Sequence, residues 1–196
     1  MKKISLLIFA CILYFNSAQA QFTFGPMVGT GLNIAETDQS GFSAKANGSF
    51  IGGAFARISI KRVYIQPELY YSNKTANFSY PIAPGYDVDS KIKTGNVNVN
   101  ALVGVKLLKL TGAFNVRLFA GPSTSLVVAK SATVNGVNFS DPSLNAASFN
   151  VQGGLGVDIT KLTIDVRYEK GLTDLTDGAG DVKINTLMLV LGFKIL

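Results

Sequence analysis

Any chemistry in this chain has to come from carboxylates, arginines and lysines, because the sequence holds no histidine and a single cysteine. Without histidine there is no Ser-His-Asp or Cys-His nucleophile and no imidazole metal site. Among the acids, Glu68 and Glu169 form the one pair that resembles a glycosidase couple, provided both face a common interior. The plainer alternative joins them to Arg57, Arg117 and Arg167 in ion pairs, and a closed interior would give a polysaccharide no access. The stretch Asp174-Leu175-Thr176-Asp177-Gly178-Ala179-Gly180-Asp181 gathers three oxygen donors, Asp174, Asp177 and Asp181, as a weak calcium candidate. It lacks EF-hand spacing and a bidentate glutamate, and a solvated loop explains it as well. No cofactor is expected. Tyr80 and Tyr86, in Tyr80-Pro81-Ile82-Ala83-Pro84-Gly85-Tyr86, are weak candidates for partner contact, since loop tips carry function on rigid scaffolds.

The remaining charged residues make sense only with the elements that position them. From Phe22 onward, period-2 segments alternate with polar connections. Eight candidate strands result, at about 22–33, 50–60, 63–73, 95–107, 113–127, 148–160, 162–173 and 184–196. In the fourth, Val97, Val99, Ala101, Val103 and Val105 oppose Asn96, Asn98, Asn100, Gly104 and Lys106. In the seventh, Leu162, Ile164, Val166 and Tyr168 oppose Thr163, Asp165, Arg167 and Glu169. The links near Lys61-Arg62, 108–112 and Lys161 are short. Those near 34–49, 74–94, 128–147 and 174–183 are long and polar. Strict alternation of short and long links matches an outer-membrane barrel with short periplasmic turns and longer extracellular loops. A strand of about 11 residues tilted by about 40° covers some 27 Å, close to the apolar band of such barrels.

An alternating antiparallel sheet can also be a soluble barrel with an apolar core, and the polar face separates the two. It carries Arg57, Glu68, Lys106, Arg117, Asp158, Asp165, Arg167, Glu169 and Lys194, with glycines at 25, 29, 31, 104, 154, 156 and 192. Glycine has no packing purpose on a wet surface. In a narrow eight-stranded lumen, small residues make room and opposite charges pair. The other face is nearly free of charge, and Phe22, Phe24, Tyr71, Phe114, Phe149, Tyr168 and Phe193 sit near strand ends, as interfacial girdles do. The reading is therefore an all-β, eight-stranded, antiparallel up-and-down transmembrane barrel. In lipid every backbone amide must be paired, so the first strand has to meet the last.

The N-terminus reads as an export signal. Lys2 and Lys3 form a basic start, residues 4–15 an apolar core, and Ala18-Gln19-Ala20 a small-x-small cleavage site. Residues 1–20 are then a cleaved signal peptide, and 21–196 the barrel domain in the outer membrane. Cys11 leaves with the signal, so disulfides and thiolate sites are excluded from the mature chain. Removing Lys2 and Lys3 takes the 18 basic residues to 16 against 12 acids, a net charge of +4. The bases are dispersed, which excludes a nucleic-acid surface. Only 15% of residues are charged, below the ~25% of soluble domains.

Four segments carry a family resemblance: Tyr64-Ile65-Gln66-Pro67-Glu68-Leu69-Tyr70-Tyr71-Ser72, then Leu118-Phe119-Ala120-Gly121-Pro122, then Gly153-Gly154-Leu155-Gly156-Val157-Asp158, then the run Asp165-Val166-Arg167-Tyr168-Glu169-Lys170-Gly171-Leu172-Thr173-Asp174-Leu175. As an ordered set this resembles the PorT-like family of small outer-membrane barrels, of OmpA/OmpX-like architecture, across nearly the whole mature chain. The ending Phe193-Lys194-Ile195-Leu196 departs from the terminal aromatic of many such proteins. The resemblance implies the same fold and location, in a family of diverse roles whose namesake is associated with protein secretion. The functional expectation is a closed, non-enzymatic, monomeric barrel in outer-membrane lipid that meets envelope or extracellular proteins through its loops. The alternatives are a narrow pore or transporter for small solutes, or an accessory of a protein-secretion system.

Overall fold

The computed structural model describes residues 20–37, 43–45, 47–83, 86–111, 114–134, 137–140, 147–173 and 182–196. They form ten strands: β1 (Ala20–Thr37), β2 (Ser43–Lys45), β3 (Asn47–Ile60), β4 (Val63–Ala83), β5 (Tyr86–Thr111), β6 (Phe114–Val134), β7 (Val137–Ser140), β8 (Ala147–Ile159), β9 (Leu162–Gly171) and β10 (Val182–Phe193). Eight of them pair antiparallel in the cycle β1-β3-β4-β5-β6-β8-β9-β10 and back to β1, closing an up-and-down barrel. The short strands β2 and β7 add to the far ends of β4 and β6. No helix among the described residues is long and apolar enough to cross a membrane.

Alternation fixes which way each residue points, because neighbouring side chains leave a strand on opposite faces. Along β9, Leu162, Val166 and Tyr168 are exposed while Thr163, Asp165, Arg167 and Glu169 are buried. The same inversion runs around the cylinder. Val28, Leu69, Val103, Leu118, Leu155 and Leu189 all face outward, while Arg57, Glu68, Arg117, Asp158, Asp165, Arg167 and Glu169 face in. A soluble barrel cannot present a continuous apolar belt to water. Lipid is the solvent that this exterior fits.

Two groups of apolar side chains share the interior. Met27, Ile51, Phe55, Tyr70, Met188 and Val190 pack together beneath β1, β3 and β10, and Tyr64, Leu102 and Phe119 form a second group. Among the described side chains, the inward faces of β1 and β10 carry no charged residue within the barrel wall, and Met27, Met188 and Val190 fill that side of the lumen. Gly104 lets the Tyr64 ring lie against the wall; a Cβ there would come within 2.3 Å of Tyr64 Cζ.

Two connections at one end are tight. Lys61-Arg62 joins β3 to β4 and Thr160-Lys161 joins β8 to β9, with Lys61 at φ 57° and Thr160 at φ 51°. At the other end the structure departs from the sequence reading. The segment 74–94, expected as a polar loop, continues the ladder: β4 and β5 stay paired from Asn73↔Gly95 to Ala83↔Tyr86. β6 likewise runs on to Val134 and turns back as β7. The period-2 pattern in fact runs on: Ala76, Phe78, Tyr80 and Ile82 alternate with Thr75, Asn77, Ser79 and Pro81, and Tyr86, Val88 and Ile92 alternate with Asp87, Asp89, Lys91 and Lys93. Pro81, Pro84 and Gly85 are turn signals, and they gave a hairpin the look of a loop.

Candidate functional site

The interior polar residues form a continuous network along the barrel axis. Six salt bridges among the described residues join four cations, Arg57, Lys74, Arg117 and Arg167, to four carboxylates, Glu68, Asp158, Asp165 and Glu169. At the short-turn end, Asp158 of β8 receives Arg57 Nη1 at 3.0 Å and Arg117 Nε at 3.1 Å. Arg117 Nη2 reaches Asp165 Oδ1 at 2.6 Å, and Asp165 Oδ2 holds Arg167 Nη2 at 2.7 Å. Arg167 then grips Glu68 with both Nη atoms, at 2.6 and 2.8 Å. This two-point geometry suits the planar guanidinium fork.

Amides carry the network toward the loop end. Asn100 Nδ2 donates to Glu68 Oε2 at 3.0 Å and to Gln152 Oε1 at 3.1 Å. Gln152 Nε2 donates in turn to Glu169 Oε2 at 2.6 Å and to the Tyr70 hydroxyl at 2.8 Å. Glu169 Oε1 accepts from Lys74 Nζ at 2.6 Å. Above it, Ser125 Oγ donates to Asn98 Oδ1 and Asn98 Nδ2 donates to Ser72 Oγ. The arginines also stack on lumenal rings: Arg57 lies 5.1 Å from the Tyr64 centroid, and Arg167 lies 5.3 Å from that of Phe119. Arg117 is 0% exposed, Glu169 1% and Arg167 2%. Charges so deep are tolerable only with partners of opposite sign and satisfied donors.

Small residues admit this packing. At Gly156 a Cβ would come within 2.2 Å of Asp165 Oδ1 and 2.7 Å of Arg117 Nη2. The network occupies the cross-section. On its loop side two cavities among the described residues, one near Glu169 and Lys74 and one near Asn150, measure only about 10 Å³ each. That is close to the space of one water.

The structure brings Arg57, Glu68, Arg117, Asp158, Asp165, Arg167 and Glu169 together in the lumen. Lys106 and Lys194 are half-buried instead and line the short-turn mouth. Glu68 and Glu169, the pair weighed for glycosidase chemistry, are each engaged by a cation. Tyr80 and Tyr86 belong to the extended β4 and β5, opposite Val88 and Ala83, and their side chains lie outside the described residues. Asp174, Asp177 and Asp181 lie outside them too, as do residues 1–19 with Cys11. Among the described residues, no group of three or more His, Cys, Asp or Glu side chains could hold a metal. The sequence reading missed Lys74, assigned to a loop, although it continues the inward series Tyr64, Gln66, Glu68, Tyr70, Ser72. It placed Asn100 on the polar face without a role and did not single out Gln152.

A family model described as an outer membrane protein beta-barrel domain matches residues 14–177. Among solved structures, the chain is similar to the outer membrane protein OprG from Pseudomonas aeruginosa, with 13% identity and a TM-score of 0.53 over 89% of this chain and 93% of that one. It is also similar to Neisserial surface protein A, with 15% identity and a TM-score of 0.50 over 90% and 99% of the two chains. At such identities the likeness concerns the fold. No curated protein matches the sequence.

Proposed function

This chain belongs to the outer-membrane β-barrel domain family, and from that premise we propose that it is a closed, non-conducting and non-enzymatic barrel anchoring a partner-contacting surface at its long-loop end. The observation that carries the reading is the filled lumen. Four buried cations and four buried carboxylates bridge opposite walls of the barrel, leaving a solute no aligned gap. The surface for contact is the sheet extension of β4, β5, β6 and β7, which in the β4–β5 hairpin runs ten residues past Asn73, about 33 Å of strand. Basic start, apolar core and small-x-small motif support export with cleavage after Ala20. Short turns on one side and long strands on the other support a periplasmic turn end and an external extension. The ordered motifs around Glu68, Gly121, Asp158 and Arg167 support a place in the PorT-like group and leave a secretion role open to test. The closed cycle of strands leaves no free edge for a second copy to extend, which supports a monomer.

Conductance tests this reading. Purified wild-type protein, reconstituted in planar bilayers, should be electrically silent or nearly so. Steady ohmic channels would overturn the plug and make the pore reading first.

A further inference from the structure

The short-turn mouth differs from the rest of the lumen in being open and in being charged with one sign. A cavity of about 420 Å³ lies there, lined by the cationic side chains of Arg57, Lys61, Arg62, Lys106, Lys161 and Lys194. One acidic side chain, Asp158, shares the wall, and it is already divided between Arg57 and Arg117. Deeper in the lumen, apart from Arg57 and Asp158, three cations meet three carboxylates; at the mouth the side chains number six cations to one acid, with the terminal residue Leu196 also on the wall. These cations come from five separate places: β3, the β3–β4 turn, β5, the β8–β9 turn and the residue after β10. They therefore surround the cavity instead of forming a stripe on one strand.

Two further observations support an anion site here. Arg57 is buried, and its Nη2 has no hydrogen-bond partner among the described residues although Arg57 lines the cavity. Such a donor is costly to leave unmet. Burial also pushes the Lys194 ammonium below the ordinary lysine value; Asp158 opposes that shift, and the guanidiniums of Arg57 and Arg117 add to it.

We infer that the short-turn mouth is a binding site for a small multivalent anion of the phosphate class. A phosphate group offers acceptor oxygens in several directions, which a ring of lysines with one guanidinium at its floor can meet, and the space lies within the range of small-molecule sites. A single carboxylate would leave most of the ring unanswered. Because the ion-pair network closes the lumen immediately above Arg57, the ligand enters and leaves by the same mouth. The site retains an anion and does not conduct it. Two sources share this chemistry: a soluble phosphorylated compound, and the headgroup of an anionic phospholipid in the leaflet facing the turns.

The test uses the full-length barrel refolded in nonionic detergent and titrated calorimetrically with pyrophosphate at low salt. One saturable site is expected, weakening steeply as salt is raised. Combining Lys161→Gln with Lys194→Gln should lower the affinity at least tenfold. Lys183→Gln, near the far end of β10, should leave it unchanged. The gel-mobility shift of the folded barrel on heating verifies that each variant is folded. Displacement of pyrophosphate by short-chain phosphatidylglycerol assigns the mouth to a lipid headgroup, and absence of displacement assigns it to a soluble phosphate. Absence of saturable binding by either probe, or an affinity unmoved in the folded Lys161→Gln/Lys194→Gln variant, overturns the proposal.

Discussion

At the residue scale, Arg167 is the pivot of the lumen. It answers both oxygens of Glu68 and one of Asp165, and no other cation bridges Glu68 among the described residues. Arg167→Met therefore leaves the buried Glu68 carboxylate with the amide donors of Gln66 and Asn100 and no cation, which should cost about 3–5 kcal/mol of folding stability in urea titrations. Adding Glu68→Gln should return part of that loss, because Asp165 keeps Arg117. A loss below about 1 kcal/mol would mean that water reaches the network freely. Most of these residues were legible in the sequence. Arg57, Glu68, Arg117, Asp158, Asp165, Arg167 and Glu169 fall on one face of period-2 segments, and that face could only be a lumen. Their pairing was not legible. Which arginine meets which acid depends on the stagger between strands, and alternation constrains the face without constraining the register across a barrel.

At the element scale, the tight turns hold the clearest local strain. Thr160 is β-branched and adopts φ 51° at the first position of the β8–β9 connection, where glycine is the ordinary occupant. Thr160→Gly should raise stability by about 0.5–1 kcal/mol, the relief of the left-handed conformation less the added freedom of glycine in the unfolded chain. Equal or lower stability in refolding titrations would show that the Thr160 side chain contributes something the backbone angle hides. The strands inside the apolar belt were legible to within a few residues, because lipid on one side and charge on the other imposed alternation. The continuation of β4 and β5 to Ala83 and Tyr86 was not. There Pro81, Pro84 and Gly85 read as loop signals, although Ala76, Phe78, Tyr80 and Ile82 keep the alternation of a strand.

At the scale of the whole molecule, sidedness follows from the two unlike ends. Cysteines introduced by Asn47→Cys and Gly85→Cys should react with an impermeant maleimide on intact cells, whereas Lys161→Cys should react only after the envelope is opened. The reverse pattern would turn the barrel over and place the cationic mouth outside. Closure has its own consequence. Asn33 of β1 and Thr186 of β10 share a hydrogen bond across 153 residues of chain, and the strands that carry them pair along eleven positions, Met27↔Gly192 to Thr37↔Val182. The first strand thus waits for the last one to be delivered before its amides on that side find partners, and lipid offers no substitute. Assembly is consequently all-or-none with respect to length. A chain cut between Gly171 and Val182 retains seven of the eight barrel strands and is no acceptable product, so a proofreading protease needs to recognise nothing more specific than an unzipped rim.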